Sequence, residues 1–193
     1  PHPLIISALE SCFMEFNEKP RVVSDVDGVV AHSQEPILEI FNARFGTELT
    51  YANWGTFSLL MDEAVRLSGE SPAVIAAWLF SAEVVGRAPT VPGAKEAMTF
   101  LAERGVIPQF VTSRQGSQAG ITKGWFATEL PEVTNVYLKD ELQADMPGQE
   151  FKLERITQLL AEVYIDDDPA VIQHVSTAAA RGALSHVKVI LLV

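Results

Sequence analysis

Arg21-Val22-Val23-Ser24-Asp25-Val26-Asp27-Gly28-Val29-Val30-Ala31 is the stretch on which the fold turns. Its apolar, β-branched opening predicts a strand over residues 21–26 that is buried on both faces, as in a parallel sheet. Asp25 and Asp27 stand two residues apart, so on extended backbone their carboxylates point to one side, and Gly28 lets the chain turn sharply after them. Runs of the same kind recur at 106–112, 135–139 and 163–166, and a fifth, 187–193, ends the sequence. Helical spacing fills the intervals. Ala94, Ala97, Met98 and Leu101 mark a helix over 92–104 that Gly105 stops, and Ile156, Leu159 and Leu160 mark another over 151–162. Strand alternating with helix predicts an α/β fold, a Rossmann-like doubly wound parallel sheet of five strands with right-handed crossovers. Such sheets bind ligands beyond the carboxyl ends of their strands.

Residues 32–88 break this rhythm. They are too many for one crossover helix, and they carry amphipathic stretches at 37–45, 57–67 and 73–85 without a convincing strand. Pro89 and Pro92, around Thr90 and Val91, mark the return to the sheet. The expected organisation is a core of residues 1–31 and 89–193 with a helical insertion over 32–88.

The 193 residues are 48% hydrophobic and 20% charged, enough to bury a sizeable core. Lys and Arg number 14 against 25 Asp and Glu, a net charge of -11 that disfavours binding nucleic acid by broad phosphate neutralisation. One cysteine, Cys12, excludes an intramolecular disulfide and a multi-cysteine zinc site, and reads as a buried structural thiol. No apolar run approaches the ~18 residues of a membrane span, and residues 1–16 lack the basic start of a secretory signal. A soluble, cytoplasmic protein is the expectation.

The chemistry collects at strand ends. The second strand closes on Val111-Thr112-Ser113-Arg114, two hydroxyls and a guanidinium suited to holding a phosphate. The fourth closes on Ile165-Asp166-Asp167-Asp168-Pro169. Adjacent carboxylates repel one another, and a hard divalent cation among oxygen ligands gives them a purpose. Asp168 reads instead as a helix cap before Pro169, a residue suited to the first helical turn. Lys152 opens the helix leading into that strand.

In this order, a strand-end Asp-x-Asp-Gly, a strand-end Thr-Ser, a helix-start Lys and a strand-end Asp-Asp, the sequence resembles the haloacid dehalogenase superfamily of phosphohydrolases. The resemblance covers residues 21–30 and about 90–193, with 32–88 similar to the helical cap of many members. It implies a Mg²⁺-dependent phosphomonoester hydrolase. Asp25 would be the nucleophile that takes the phosphoryl group, Asp27 the general acid and base, Thr112 a ligand of the phosphoryl oxygens, and Lys152 the neutralising cation. Asp25, Asp27 through its backbone carbonyl, Asp166 and Asp167 would hold the metal. Gly28, Ser113, Arg114 and Trp54 would contact substrate. The superfamily's metal-free dehalogenases fit less well, given Asp27 and the acidic run.

The motifs look most like the 5'-nucleotidase (deoxyribonucleotidase) branch, which implies a small phosphorylated metabolite such as a nucleoside monophosphate. Trp54, in Tyr51-Ala52-Asn53-Trp54-Gly55, is the expected base-stacking residue among insertion aromatics that otherwise pack helices. Residues 115–138 also resemble the polynucleotide 3'-phosphatases, through Arg114, Lys123 and Trp125, although the net charge argues against a polymer. A catalytically silent binding module is the non-enzymatic alternative, and four intact motifs weigh against it.

Overall fold

The structure is a computed structural model that describes residues 4–16, 18–55, 57–184 and 187–192. Five parallel strands form one sheet in the order β3-β2-β1-β4-β5: β1 (Val22–Ser24), β2 (Gln109–Gln115), β3 (Val136–Lys139), β4 (Val163–Asp166) and β5 (Lys188–Leu191). Parallel pairing throughout and β1 at the centre make it the doubly wound α/β sheet that the strand-helix alternation predicts. Only β4 has the expected bounds; β3 and β5 differ by a residue or two at their ends, and β2 and β1 depart in ways that bear on the site. Pro108 lacks an amide donor, and β2 begins after it at Gln109 and runs on to Gln115, with an irregular register between Val111 and Gln115. β1 stops at Ser24, yet the Asp25 amide still donates to Ile165 O at 2.8 Å, so the ladder reaches the first carboxylate.

Strand alternation builds two cores. Val22, Phe110, Val163 and Ile165 face one side, where α1 (Leu4–Phe13), α6 (Ala94–Glu103) and α7 (Ala119–Glu129) cover them. Val23, Val111 and Tyr164 face the other, against α8 (Gly148–Gln158) and α9 (Pro169–Ala180). α1 is an element that the sequence pattern did not announce; its Phe13 ring meets Phe100 of α6 edge-on at 5.8 Å. Cys12 of α1 is free and buried, and burial pushes its thiol pKa up. Among the described residues no helix is long and apolar enough to cross a membrane.

Residues between β1 and α6 form four helices: α2 (Gln34–Phe45), α3 (Phe57–Ser68), α4 (Pro72–Leu79) and α5 (Ala82–Arg87). The stretch at 73–85 is thus two helices, broken where Phe80 and Ser81 leave helical geometry. Ile37, Phe41, Leu60, Ile75 and Leu79 are buried in the same cluster as Val26, Val29 and Phe110, so the inserted helices share the first core. The two connecting segments lie side by side. His32 N donates to Pro89 O at 2.8 Å and Val91 N donates to Val30 O at 2.9 Å.

Candidate active site

The parity that divides the cores also assembles the site. Val23 and Tyr164 face α8, and Asp25 and Asp166, each two residues further along its own chain, lie at the same end of the sheet. From α8, the Lys152 ammonium reaches both carboxylates, standing 3.0 Å from Asp25 Oδ1 and 2.9 Å from Asp166 Oδ2. Lys152 sits one turn into its helix rather than at the first residue, and Phe151 beside it anchors that turn in the second core. Asp25, Lys152 and Asp166 are all buried. Tyr164 donates its hydroxyl to Asp166 Oδ2, and the Asp168 amide donates to Asp166 Oδ1 at 2.9 Å.

From the opposite face come Thr112 and Arg114, which alternate in step with Phe110 along β2. Arg114 Nε and Nη2 form a two-pronged ion pair with Asp27, at 3.1 Å to Oδ2 and 2.6 Å to Oδ1. Its third nitrogen, Nη1, donates to Thr122 Oγ1 of α7 at 3.1 Å. Ser33 donates to Asp27 Oδ1 at 2.7 Å, and Thr112 donates to Oδ2 at 3.4 Å. The two aspartates of the first strand end are therefore held from two sides, Asp25 by a lysine and Asp27 by an arginine.

Gly28 adopts φ +81°, a left-handed conformation that side chains disfavour. A Cβ there would also stand 1.8 Å from Asp167 Oδ2 and 2.6 Å from Gln34 Nε2, so only glycine lets the β1 loop pass beneath them. Ser113 lies against the start of α8, where a Cβ on Gly148 would come within 2.7 Å of its Oγ. Asp168 caps α9 by accepting from Ala170 N at 2.8 Å, with Pro169 in the first turn, as its place before proline predicts.

Trp54 stands apart from this gathering. Its ring stacks on Tyr51 at 6.4 Å and 26°, and Tyr51 meets His32 edge-on at 6.1 Å. His32 neighbours Ser33, so the aromatic row starts one residue from a ligand of Asp27. Three site residues escaped the sequence reading: Ser33, Gln34 and Tyr164. Tyr164 had a signal, since it lies two residues before Asp166 on one strand and must share its side. Ser33 and Gln34 had none, because the fold of the insertion brings them back to the strand ends.

The electrostatics follow from burial. Desolvation pushes the Asp25 carboxyl well above the usual carboxylate range; Lys152 opposes this, and Asp166, Asp167 and Asp27 add to it. Burial works against the Lys152 ammonium, but Asp25 and Asp166 outweigh it and raise its pKa above the ordinary lysine value. Asp167 is pushed up to about 7, first by burial and then by the Asp166 charge. Tyr164 is raised well above 10, by burial and by the charge of Asp166, so its hydroxyl remains a donor.

The arrangement fits a divalent cation. Asp25, Asp166 and Asp167 each offer an oxygen, all within 4.8 Å of one another. Hard carboxylate oxygens suit such an ion, and four aspartates against Lys152 and Arg114 leave negative charge for it to neutralise. Gln34 Nε2 donates to Asp167 Oδ2 at 3.3 Å, while its buried Oε1 is an acceptor without a partner beside the cluster.

No protein-family model and no curated protein sequence matches this chain. Solved structures do. A chain designated a phosphatase from Clostridium difficile superposes with a TM-score of 0.62 at 14% identity, covering 91% of this chain and 86% of its own. A haloacid dehalogenase-like hydrolase, by its designation, from Bacteroides fragilis gives 0.59 at 16% identity, with 84% and 85% covered. A HAD-superfamily hydrolase from Ehrlichia chaffeensis gives 0.51 at 13% identity, with 91% and 89% covered. With a five-stranded parallel sheet ordered 3-2-1-4-5 and these neighbours, the protein has the α/β Rossmann-like fold of the haloacid dehalogenase-like hydrolases.

Proposed function

We propose that this protein is a Mg²⁺-dependent phosphomonoester hydrolase working through an aspartyl-phosphate. The observation that carries the reading is Lys152, buried and bridging Asp25 and Asp166, with Asp27 two residues beyond Asp25 and fixed independently. Asp25 is the nucleophile. One of its oxygens attacks phosphorus as the bond to the leaving oxygen breaks, and Asp27 gives that oxygen a proton. Asp27, now a carboxylate, then takes a proton from the water that attacks the aspartyl-phosphate, which releases inorganic phosphate and restores both carboxyl groups.

Lys152, which pairs with Asp25, would also neutralise the phosphoryl oxygens, and Thr112 would turn its hydroxyl from Asp27 Oδ2 toward them. Asp25, the Asp27 carbonyl, Asp166 and Asp167 would hold Mg²⁺, which would supply the positive charge without which a phosphate dianion is repelled by this cluster. The inserted helices serve as a cap over the strand ends, with Ser33 and Gln34 at the start of α2 touching Asp27 and Asp167.

The substrate we favour is a small phosphorylated metabolite such as a nucleoside monophosphate, for which the His32, Tyr51 and Trp54 row offers aromatic faces. A polymeric 3'-phosphate has less support. Trp125, one of the residues that carry the resemblance to polynucleotide 3'-phosphatases, is buried and donates its indole N–H to Ala88 O at 2.8 Å.

The test is hydrolysis of p-nitrophenyl phosphate with Mg²⁺, followed by a screen of nucleoside monophosphates, sugar phosphates and 3'-phosphorylated oligonucleotides. Activity that disappears in Asp25→Asn supports the mechanism, and full activity in that variant overturns it. Preference for the oligonucleotide overturns the substrate assignment.

A further inference from the structure

We infer that Arg114 is a positioning residue for Asp27 rather than a grip on the phosphate, and that Asp27 exchanges its proton through Oδ2. The inference rests on the proposed role of Asp27 as acid and base.

All three guanidinium nitrogens of Arg114 are occupied, two by Asp27 and one by Thr122, and none of its side chain is exposed. With no part of the side chain open to solvent, a substrate phosphate has no route to it in this arrangement. The Phe80 ring lies over the guanidinium, with Cζ 5.4 Å from the centroid, so the inserted helices close the remaining side. The Asp27 side chain, by contrast, is 21% exposed, which leaves one edge open to a substrate.

The four hydrogen bonds to Asp27 are unequal. Oδ1 accepts the two shortest, 2.6 Å from Arg114 Nη2 and 2.7 Å from Ser33 Oγ. Oδ2 accepts 3.1 Å from Arg114 Nε and only 3.4 Å from Thr112 Oγ1. Each carboxylate oxygen accepts about two hydrogen bonds. The one most easily given up is the Thr112 contact on Oδ2. When the Thr112 hydroxyl turns to a phosphoryl oxygen it vacates that position, and Oδ2 takes up the leaving oxygen while Oδ1 stays anchored. In the first step the proton passes from Oδ2 to the leaving oxygen as the P–O bond breaks; in the second it returns from the attacking water to Oδ2. Arg114 holds the carboxylate plane throughout, and its planar fork has no equivalent in lysine.

Leaving-group dependence tests this. A p-nitrophenolate departs with little protonation and an alkoxide needs a full proton, so a fault in Asp27 orientation shows mainly on alkyl phosphates. In Arg114→Ala and Arg114→Lys, kcat on β-glycerophosphate should fall about tenfold or more beyond any fall on p-nitrophenyl phosphate, within the ~100-fold or greater worth of a general acid. KM for p-nitrophenyl phosphate and inhibition by inorganic phosphate should stay within about twofold. Weaker phosphate inhibition and higher KM at unchanged kcat would make Arg114 a phosphate ligand; equal losses on both substrates would make it merely structural. Either overturns the inference. Should the Arg114 variants fail to fold, Ser33→Ala, which frees the other anchor of Oδ1, should show the same bias in smaller degree, and its absence overturns the inference too. Wild-type protein that hydrolyses neither substrate, or an active Asp25→Asn, would instead strike at the proposed function.

Discussion

Gly28 runs beneath Asp167 so closely that a β-carbon on it would lie 1.8 Å from Asp167 Oδ2. The loop that turns away from β1 and the acidic end of β4 are thereby fitted to one another, and no side chain can come between them. Gly28→Ala should cost about 1–2 kcal/mol for the left-handed backbone and about 1–3 kcal/mol for the overlap. Denaturant unfolding gives that number, and Mg²⁺ titration should show weakened binding, because Asp167 must move. A variant as stable as the wild type would refute this reading of the contact.

Lys152 faces two buried carboxylates, and removing it strands both. Lys152→Met should lower stability by roughly 3–5 kcal/mol, the usual result of breaking a buried charge pair by deleting one partner. Hydrolysis of p-nitrophenyl phosphate should be lost as well. A double variant, Lys152→Met with Asp166→Asn, should recover part of the stability and none of the activity, which separates the two roles by urea denaturation and by rate.

Asp167 contributes a pH dependence of its own to the metal-free protein. Its carboxyl titrates near 7 in the folded chain, raised chiefly by burial, against about 3.9 unfolded. The folded state therefore holds the proton more tightly, and as pH rises from about 4 to about 7 the unfolded state is favoured by at most about 4 kcal/mol, with no further change above. Asp167→Asn should remove this contribution to the slope. Unfolding free energies of the two proteins, measured at pH 5 and pH 8, should diverge with the variant the more stable at pH 8, and a constant difference would contradict the assignment.

Metal binding can be followed apart from turnover. Mg²⁺ bound there would relieve repulsion among Asp25, Asp166 and Asp167, so it should raise the melting temperature, and EDTA should reverse the shift. Asp166→Asn should abolish most of the rise. EDTA should also abolish hydrolysis.

Tyr164 is a hydrogen-bond donor to a buried carboxylate, and its raised pKa keeps it one across the working pH range. Tyr164→Phe should cost about 1.5–3 kcal/mol, the range for a hydrogen bond to a charged group. The same substitution should weaken Mg²⁺ binding measured by calorimetry, since Asp166 loses one of the partners that orient it.

Much of this molecule is written in the order of its residues. β-branched runs separated by helical periods dictate a parallel sheet, and period-two alternation puts Asp25 on the side of Val23 and Asp166 on the side of Tyr164 whatever else the chain does. Pro169 after Asp168 dictates the cap on α9. Only tertiary structure decided the partners. Arg114 at a strand end and Lys152 near a helix start are both simply cations in the sequence, yet β2 carries Arg114 in on one face to Asp27 and α8 carries Lys152 in on the other to Asp25. Ser33 and Gln34 reach the site because residues 30–32 and 89–91 run side by side, and α1 seats on α6 through a Phe13 and Phe100 contact of long sequence separation. Strand parity is a local property of the backbone and can be read locally; which charge meets which across a sheet depends on burial and crossover handedness, which exist only once the chain has closed on itself.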